Sequence, residues 1–183
     1  MEIFFDGIVL RPWSISDAPQ LAVIAGNKKI SDNLRDGLPF PYTLKDAQSW
    51  LSIILPENNP PKFFAITLDR QVVGSIGIVS KTDIYRKNFE IGFFISEYFW
   101  GRGIATKAIK AAVSYAFREF DIVRVYAEVF SDNLASRRAL EKAGLKLEAT
   151  LAKNIIKNGI IKDSCIYSVL REDFKSLPIE VKV

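Results

Sequence analysis

Histidine is absent from the 183 residues, and cysteine and methionine occur once each. Without histidine there is no Ser-His or Cys-His nucleophilic pair and no His-ligated metal site. The lone Cys165 closes no disulfide within one chain and builds no cysteine metal cluster. In the strand-like run SCIYSVL it reads as a small buried hydrophobe. Acid–base chemistry falls to Glu, Asp, Tyr, Lys, Ser, Cys or water. No apolar run is long enough to span a bilayer, and the opening MEIFFDGIVLRPW lacks the pattern of a secretion signal. The expectation is a cytoplasmic protein with no membrane partner. Neither sign of charge is in large surplus, with 25 Lys and Arg against 21 Asp and Glu and a net charge of +4. That balance, with no basic cluster interleaved with aromatics, argues against a nucleic-acid partner. It suits an anionic small ligand.

What is present is a globular composition, 49% hydrophobic and 25% charged, in a length that fits one domain over residues 1–183. Residues 2–12 alternate as a strand, with a bulge expected at Asp6-Gly7. Ser16 and Asp17 open a helix that tolerates Pro19 in its first turn, and a second helical piece covers Lys28 to Arg35. DGLPFPYT is a loop, rich in breakers. Thr43 is the N-cap for LKDAQSWLSIIL, which ends before the proline-rich ENNPPK. KFFAITLD and QVVGSIGIVS form a hairpin about Asp69-Arg70, and NFEIGFFIS is a third strand. The spacing predicts a helix over 103–118, apolar on one stripe and carrying Lys107, Lys110, Ser114 and Arg118 on the other. VRVYAEVF is a strand, Asn133 to Ala143 a helix closed by Gly144, and two strands flank Asn158-Gly159, the strongest hairpin signal present. The sum is a mixed α/β (α+β) domain: a seven-stranded, mostly antiparallel sheet with one β-α-β unit at its centre.

That unit is entered through WGRGIATKAI, a strand-to-helix turn with two glycines and no Asp, Asn, Ser or Pro to cap the helix. Free helix-terminal N–H groups with little side-chain bulk form an anion site; the plainer reading is a tight turn. A dinucleotide fingerprint fails because its sixth position is Thr106, and a phosphate loop fails for want of its Lys-Ser/Thr pair. Two further features point to a ligand. Glu90 and Gly92 fall on the face opposite Phe89, Ile91, Phe93 and Ile95, and a strand glycine marks close approach. Asn133 and Ser136 lie one turn apart and face the same way.

These segments resemble the GNAT superfamily of acetyl-CoA-dependent N-acetyltransferases, and within it the RimJ/RimL branch. LRPWSISDAPQL, PFPYTLKDAQSWL, EIGFFISEYFWGRGIATKAI and NLASRRALEKAGLKLEA carry the likeness, which covers nearly the whole chain. The family turn, Q/R-x-x-G-x-G/A, is met by Gly103 and Ala105, while Trp100 replaces the Gln or Arg. The resemblance implies a sheet with helices on both faces and acetyl-CoA as cosubstrate, with no metal. It implies that acetyl-CoA binds through the turn from Gly101 to Thr106, with backbone N–H groups of Arg102, Gly103, Ile104, Ala105 and Thr106 on the pyrophosphate. Phe94, Ile95 and Ser96 would meet the pantetheine arm and acetyl group through their backbone, and Asn133 would contact the arm.

Acetyl transfer to an amine needs a base, a polarised carbonyl and a proton for the leaving thiolate. With no histidine, the base is a carboxylate. Glu97 stands where the branch resemblance places its catalytic glutamate, and Glu90 is the alternative; each also reads as a paired or solvated surface carboxylate. Leu140 fills the place of the tyrosine acid used by many superfamily members and cannot donate. Ser136 matches the branch's alternative acid, helix capping being its plainer role. Arg137, Arg138 and Lys142 are candidates for the cofactor 3′-phosphate. The branch favours a protein or peptide α-amine as acceptor. A polyamine, amino sugar or aminoglycoside acceptor is the alternative, and a silent acyl-CoA-binding domain, or a monomer against a homodimer, is left open. Tyr42 and Trp50 are candidate acceptor-groove walls, Trp50 fitting core packing better.

Overall fold

Three two-residue turns shape the sheet: Asp6-Gly7, Asp69-Arg70 and Asn158-Gly159 each place both central residues at positive φ, between 47° and 82°. That geometry matches the right-handed twist of the flanking strands. The computed structural model describes residues 1–56, 59–175 and 177–182. Positions 57 and 58 of ENNPPK lie outside the described residues. Asp6-Gly7 thus closes a hairpin between β1 (Glu2–Phe5) and β2 (Ile8–Pro12), not the bulge its short flanks suggest. The short strands hold because each has a second neighbour, β9 (Glu180–Lys182) beside β1 and β3 (Phe63–Leu68) beside β2.

The remaining strands are β4 (Gln71–Ser80), β5 (Asn88–Ile95), β6 (Arg124–Phe130), β7 (Lys146–Lys157) and β8 (Ile160–Leu170). Among the described residues the sheet has nine strands, in the order β7-β8-β6-β5-β4-β3-β2-β1-β9. The expected seven become nine because the first strand splits at Asp6-Gly7 and the C-terminal segment adds β9. Every pairing is antiparallel except β5 with β6.

The crossover between those two is α4 (Ile104–Glu119), which buries Ile104, Ala108, Ile109, Ala112 and Val113 against one face of the sheet. On the other face lie α1 (Ala18–Ala25) and α3 (Leu44–Ile54), packing Leu21, Ile24, Ala47 and Leu51 around Trp13 and Ala65. Thr43 caps α3 reciprocally with Asp46. α2 is a single turn, Lys28–Ser31, shorter than the helix expected to reach Arg35. α5 (Leu134–Lys142) follows β6, capped by Asn133. Tyr42 and Trp50 belong to the second core: Tyr42 is buried, its hydroxyl pushed up to about 12 by burial and Asp46. Trp50 packs edge-on against Trp13 and Phe63.

Candidate active site

β5 and β6 pair side by side only at Asn88 with Arg124, Phe89 with Val125 and Glu90 with Tyr126. Beyond that point they separate, and a cavity of about 470 Å³ opens between them. Its walls come from the end of β5, the 99–106 turn, the start of α5, the β6 residues Glu128 and Val129, and the α2 region from Lys29 to Leu34.

The start of α4 has the uncapped glycine turn that the sequence suggests. Gly103 sits at φ 73° and ψ 4°, a left-handed N-cap with no side-chain hydrogen bond. A Cβ built there would meet nothing within 4 Å, so the space in front of the helix is open. By helix geometry the first N–H groups of α4 lack intrahelical partners. Gly101, Gly103, Ile104, Ala105 and Thr106 all line the cavity. Arg102 does not; its guanidinium stacks 5.2 Å over the Phe99 ring.

Parity along β5 decides which backbone groups reach the opening. The Ser96 N–H donates to Val73 O at 2.8 Å, and Phe94 is in register with Ser75. In an antiparallel pair both groups of a residue point to the same neighbour, alternating along the strand. Ser96 and Phe94 therefore bond toward β4, and it is Phe93 and Ile95 whose backbone faces the cavity. Phe94 lines the wall, and Ser96 is buried off it. The Ile95 carbonyl accepts the Trp100 indole N–H at 2.7 Å, so Trp100 ties the turn to the strand end.

On the opposite wall, Asn133 Oδ1 accepts the Ser136 N–H at 3.1 Å, and both residues line the cavity. Leu140 is fully buried. Arg137 is committed to the Tyr167 hydroxyl and the Ser131 carbonyl. Arg138 and Lys142 line the cavity.

The two expected carboxylates sit off the wall. Glu97 accepts from Lys29 Nζ and from Asn27 Nδ2 at 2.7 Å, contacts that hold its carboxyl below the usual range. Lys29 itself lines the cavity, so Glu97 sits at its rim. For Glu90, burial pushes the carboxyl up, but Lys81 and Arg35, each at 2.5 Å, outweigh burial and hold it low. The Tyr126 hydroxyl donates to it at 3.3 Å. A carboxylate missed in the sequence, Glu128, does line the cavity. Its signal was the alternation in VYAEVF, which puts Tyr126 and Glu128 on one face.

Residues 8–146 match the family model described as an acetyltransferase (GNAT) domain. The chain belongs to the GNAT acetyltransferase family. "Probable N-acetyltransferase YjcK" of Bacillus subtilis (strain 168) is 39% identical over 101 residues, 54% of this chain and 56% of that protein. The spermidine N(1)-acetyltransferase of Escherichia coli (strain K12) is 26% identical over 107 residues, 57% of each. The chain spans about half the length of each of these two relatives. Among solved structures, Mycobacterium smegmatis RimJ in complex with CoA-disulfide superposes with a TM-score of 0.80 at 22% identity, over 94% of this chain and 87% of that one. In this GNAT chain the start of α4, which no side chain caps, and the parting of β5 from β6 border one cavity. No helix among the described residues is long and apolar enough to cross a membrane.

Proposed function

We propose that this protein transfers the acetyl group of acetyl-CoA to a primary amine, and that its preferred acceptor is the α-amine of a peptide or protein N-terminus. The observation that carries the reading is the helix start at Gly103, capped by no side chain and opening onto the parted strands. A diphosphate meets positive helix-end N–H groups there. The pantetheine arm then runs along the Phe93 and Ile95 backbone, as a peptide adds to a strand edge. Arg138 and Lys142 are the wall cations for the 3′-phosphate.

In the reaction the neutral amine attacks the thioester carbonyl carbon. The N–C bond forms, the C–S bond breaks, and the amine proton leaves through water toward Glu97. The Ile95 N–H polarises the carbonyl, and Ser136 protonates the departing thiolate while taking a proton back from water. Glu90, tied to Lys81 and Arg35 off the cavity wall, holds the strands rather than a proton. The same reading has the chain acting as one cytoplasmic domain, monomeric or dimeric.

Proton arithmetic supports the α-amine. With a pKa near ~8 it is roughly one-tenth neutral at pH 7, whereas a lysine amine near ~10.4 is neutral about once in 2,500. The likeness to a spermidine acetyltransferase favours the second reading, a polyamine acceptor. Charge around the acceptor end weighs against it: Glu97 faces Lys29, Glu90 faces Lys81 and Glu128 faces Arg35, leaving no acidic surplus for a polycation. The test is mass spectrometry of peptides carrying a free N-terminus and an internal lysine, mixed with spermidine. Acetylation of the N-terminus is expected; acetyl groups on spermidine or lysine alone would overturn the choice.

A further inference from the structure

Two residues beyond the last β5–β6 pair, Gly92 and Glu128 stand on the same sheet face as Glu90 and Tyr126, because side chains alternate along each strand. Both line the opening. A Cβ built on Gly92 would meet nothing within 4 Å, so this end of the cavity has room where β5 offers no side chain. Among the described residues, Glu128 is the only carboxylate on the cavity wall.

Its two oxygens are held differently. Oε1 accepts from the Ser164 hydroxyl at 2.7 Å and from Asn154 Nδ2 at 3.3 Å, and Ser164 is fully buried on β8. Oε2 accepts from Arg35 at 2.9 Å, and the Arg35 side chain is 62% exposed, outside any helix or strand. One oxygen is therefore fixed from inside the sheet and the other meets an exposed cation. Arg35 also reaches Glu90, which has Lys81 as a second cation. Arg35 can leave Glu128 without stranding Glu90.

We propose that Glu128 is the acceptor-binding residue that holds the incoming ammonium group in front of the thioester, taking the place on Oε2 that Arg35 fills in the free protein. This rests on the N-acetyltransferase reading and adds the group that recognises the acceptor. Glu128 orients the nitrogen while it is charged; one proton first leaves the ammonium to water, and the neutral nitrogen then attacks and loses its second proton through water toward Glu97. The ligand chemistry is a primary ammonium, from a peptide N-terminus or from a small amine.

The test uses the full chain at saturating acetyl-CoA. KM is measured for an Ala-initiated peptide and for spermidine with the parent and with Glu128→Gln, which keeps the acceptor oxygen for Ser164. A hydrazide, uncharged at pH 7, serves as the control through its KM or its inhibition constant. Removing a charged hydrogen bond should raise the KM of the ammonium acceptor about tenfold or more. The hydrazide constant, the acetyl-CoA affinity and the melting temperature should stay near parent values. Arg35→Ala, which unmasks Oε2, should lower the KM of the ammonium acceptor. Parent-like KM in Glu128→Gln, an equal loss for the hydrazide, or a higher KM in Arg35→Ala would overturn the proposal. So would calorimetry in which no ammonium compound binds the CoA complex of the parent. If spermidine alone is the acceptor and depends on Glu128, the anchor stands and the α-amine reading falls.

Discussion

At Gly103 one backbone angle serves two ends. A φ of 73° starts α4 without a capping side chain and leaves the ground in front of its N–H groups bare. A β-branched residue is strained at that angle and fills that ground. Gly103→Val should therefore weaken acetyl-CoA binding strongly in a protein that still folds; calorimetry with unchanged affinity would place the diphosphate elsewhere. Glu97 gives a pH test. Its folded carboxyl lies below the usual value because Lys29 and Asn27 bond to its charged form. That stabilisation is present above the ordinary carboxylate range and is lost as pH falls through the lowered value. Lys29→Met should move an NMR titration of Glu97 upward toward the usual range; an unmoved midpoint would show that Lys29 does not tune it. The sequence was readable for the uncapped glycine turn and for the placing of Asn133 and Ser136 side by side on the cavity wall, because that geometry depends on spacing along one helix. It misled at Phe94 and Ser96, since which residues face the opening depends on the partner β5 bonds, a long-range fact. Glu128 escaped because a glutamate in an alternating strand reads as solvated until the strands are seen to part.

At the scale of elements, turn chemistry explains both success and error. Asn158-Gly159 lies between long strands and was legible. Asp6-Gly7 makes the same kind of turn between short ones, and only the neighbours β9 and β3 make that hairpin last. The end of α4 depends on a distant residue too. Arg171, just past β8, donates to the carbonyls of Phe117 at 2.5 Å, Phe120 at 2.6 Å and Ile122 at 2.7 Å. A cation at a helix C-terminus also meets the negative end of its dipole. Arg171→Ala should cost about 2 kcal/mol, read as a lower urea midpoint. An unchanged midpoint would mean that water replaces the guanidinium without loss.

For the whole molecule the question is whether the two faces of the sheet unfold together. In β3 the side chains alternate between them, Phe64 and Ile66 entering the core under α4 and Ala65 the core under α1 and α3. In β4, Val72 joins the second core and Val73 the first. Once these strands lose their pairing, neither face can stay packed, because each strand carries side chains of both cores. A single cooperative transition is therefore expected in calorimetry, with calorimetric and van't Hoff enthalpies equal. Acetyl-CoA bound across β5, α4 and α5 should shift that one transition as a unit. At ~100 times its dissociation constant the ligand adds about 2.7 kcal/mol, roughly 5–10 °C for a chain of this size. Gly103→Val at the same ligand concentration should show little of that shift. Two separate transitions, with only one moved by acetyl-CoA, would mean that the helices on the far face form a second unit and that the acceptor end, where Lys29 meets Glu97 and Arg35 meets β5 and β6, is assembled only when the two units dock.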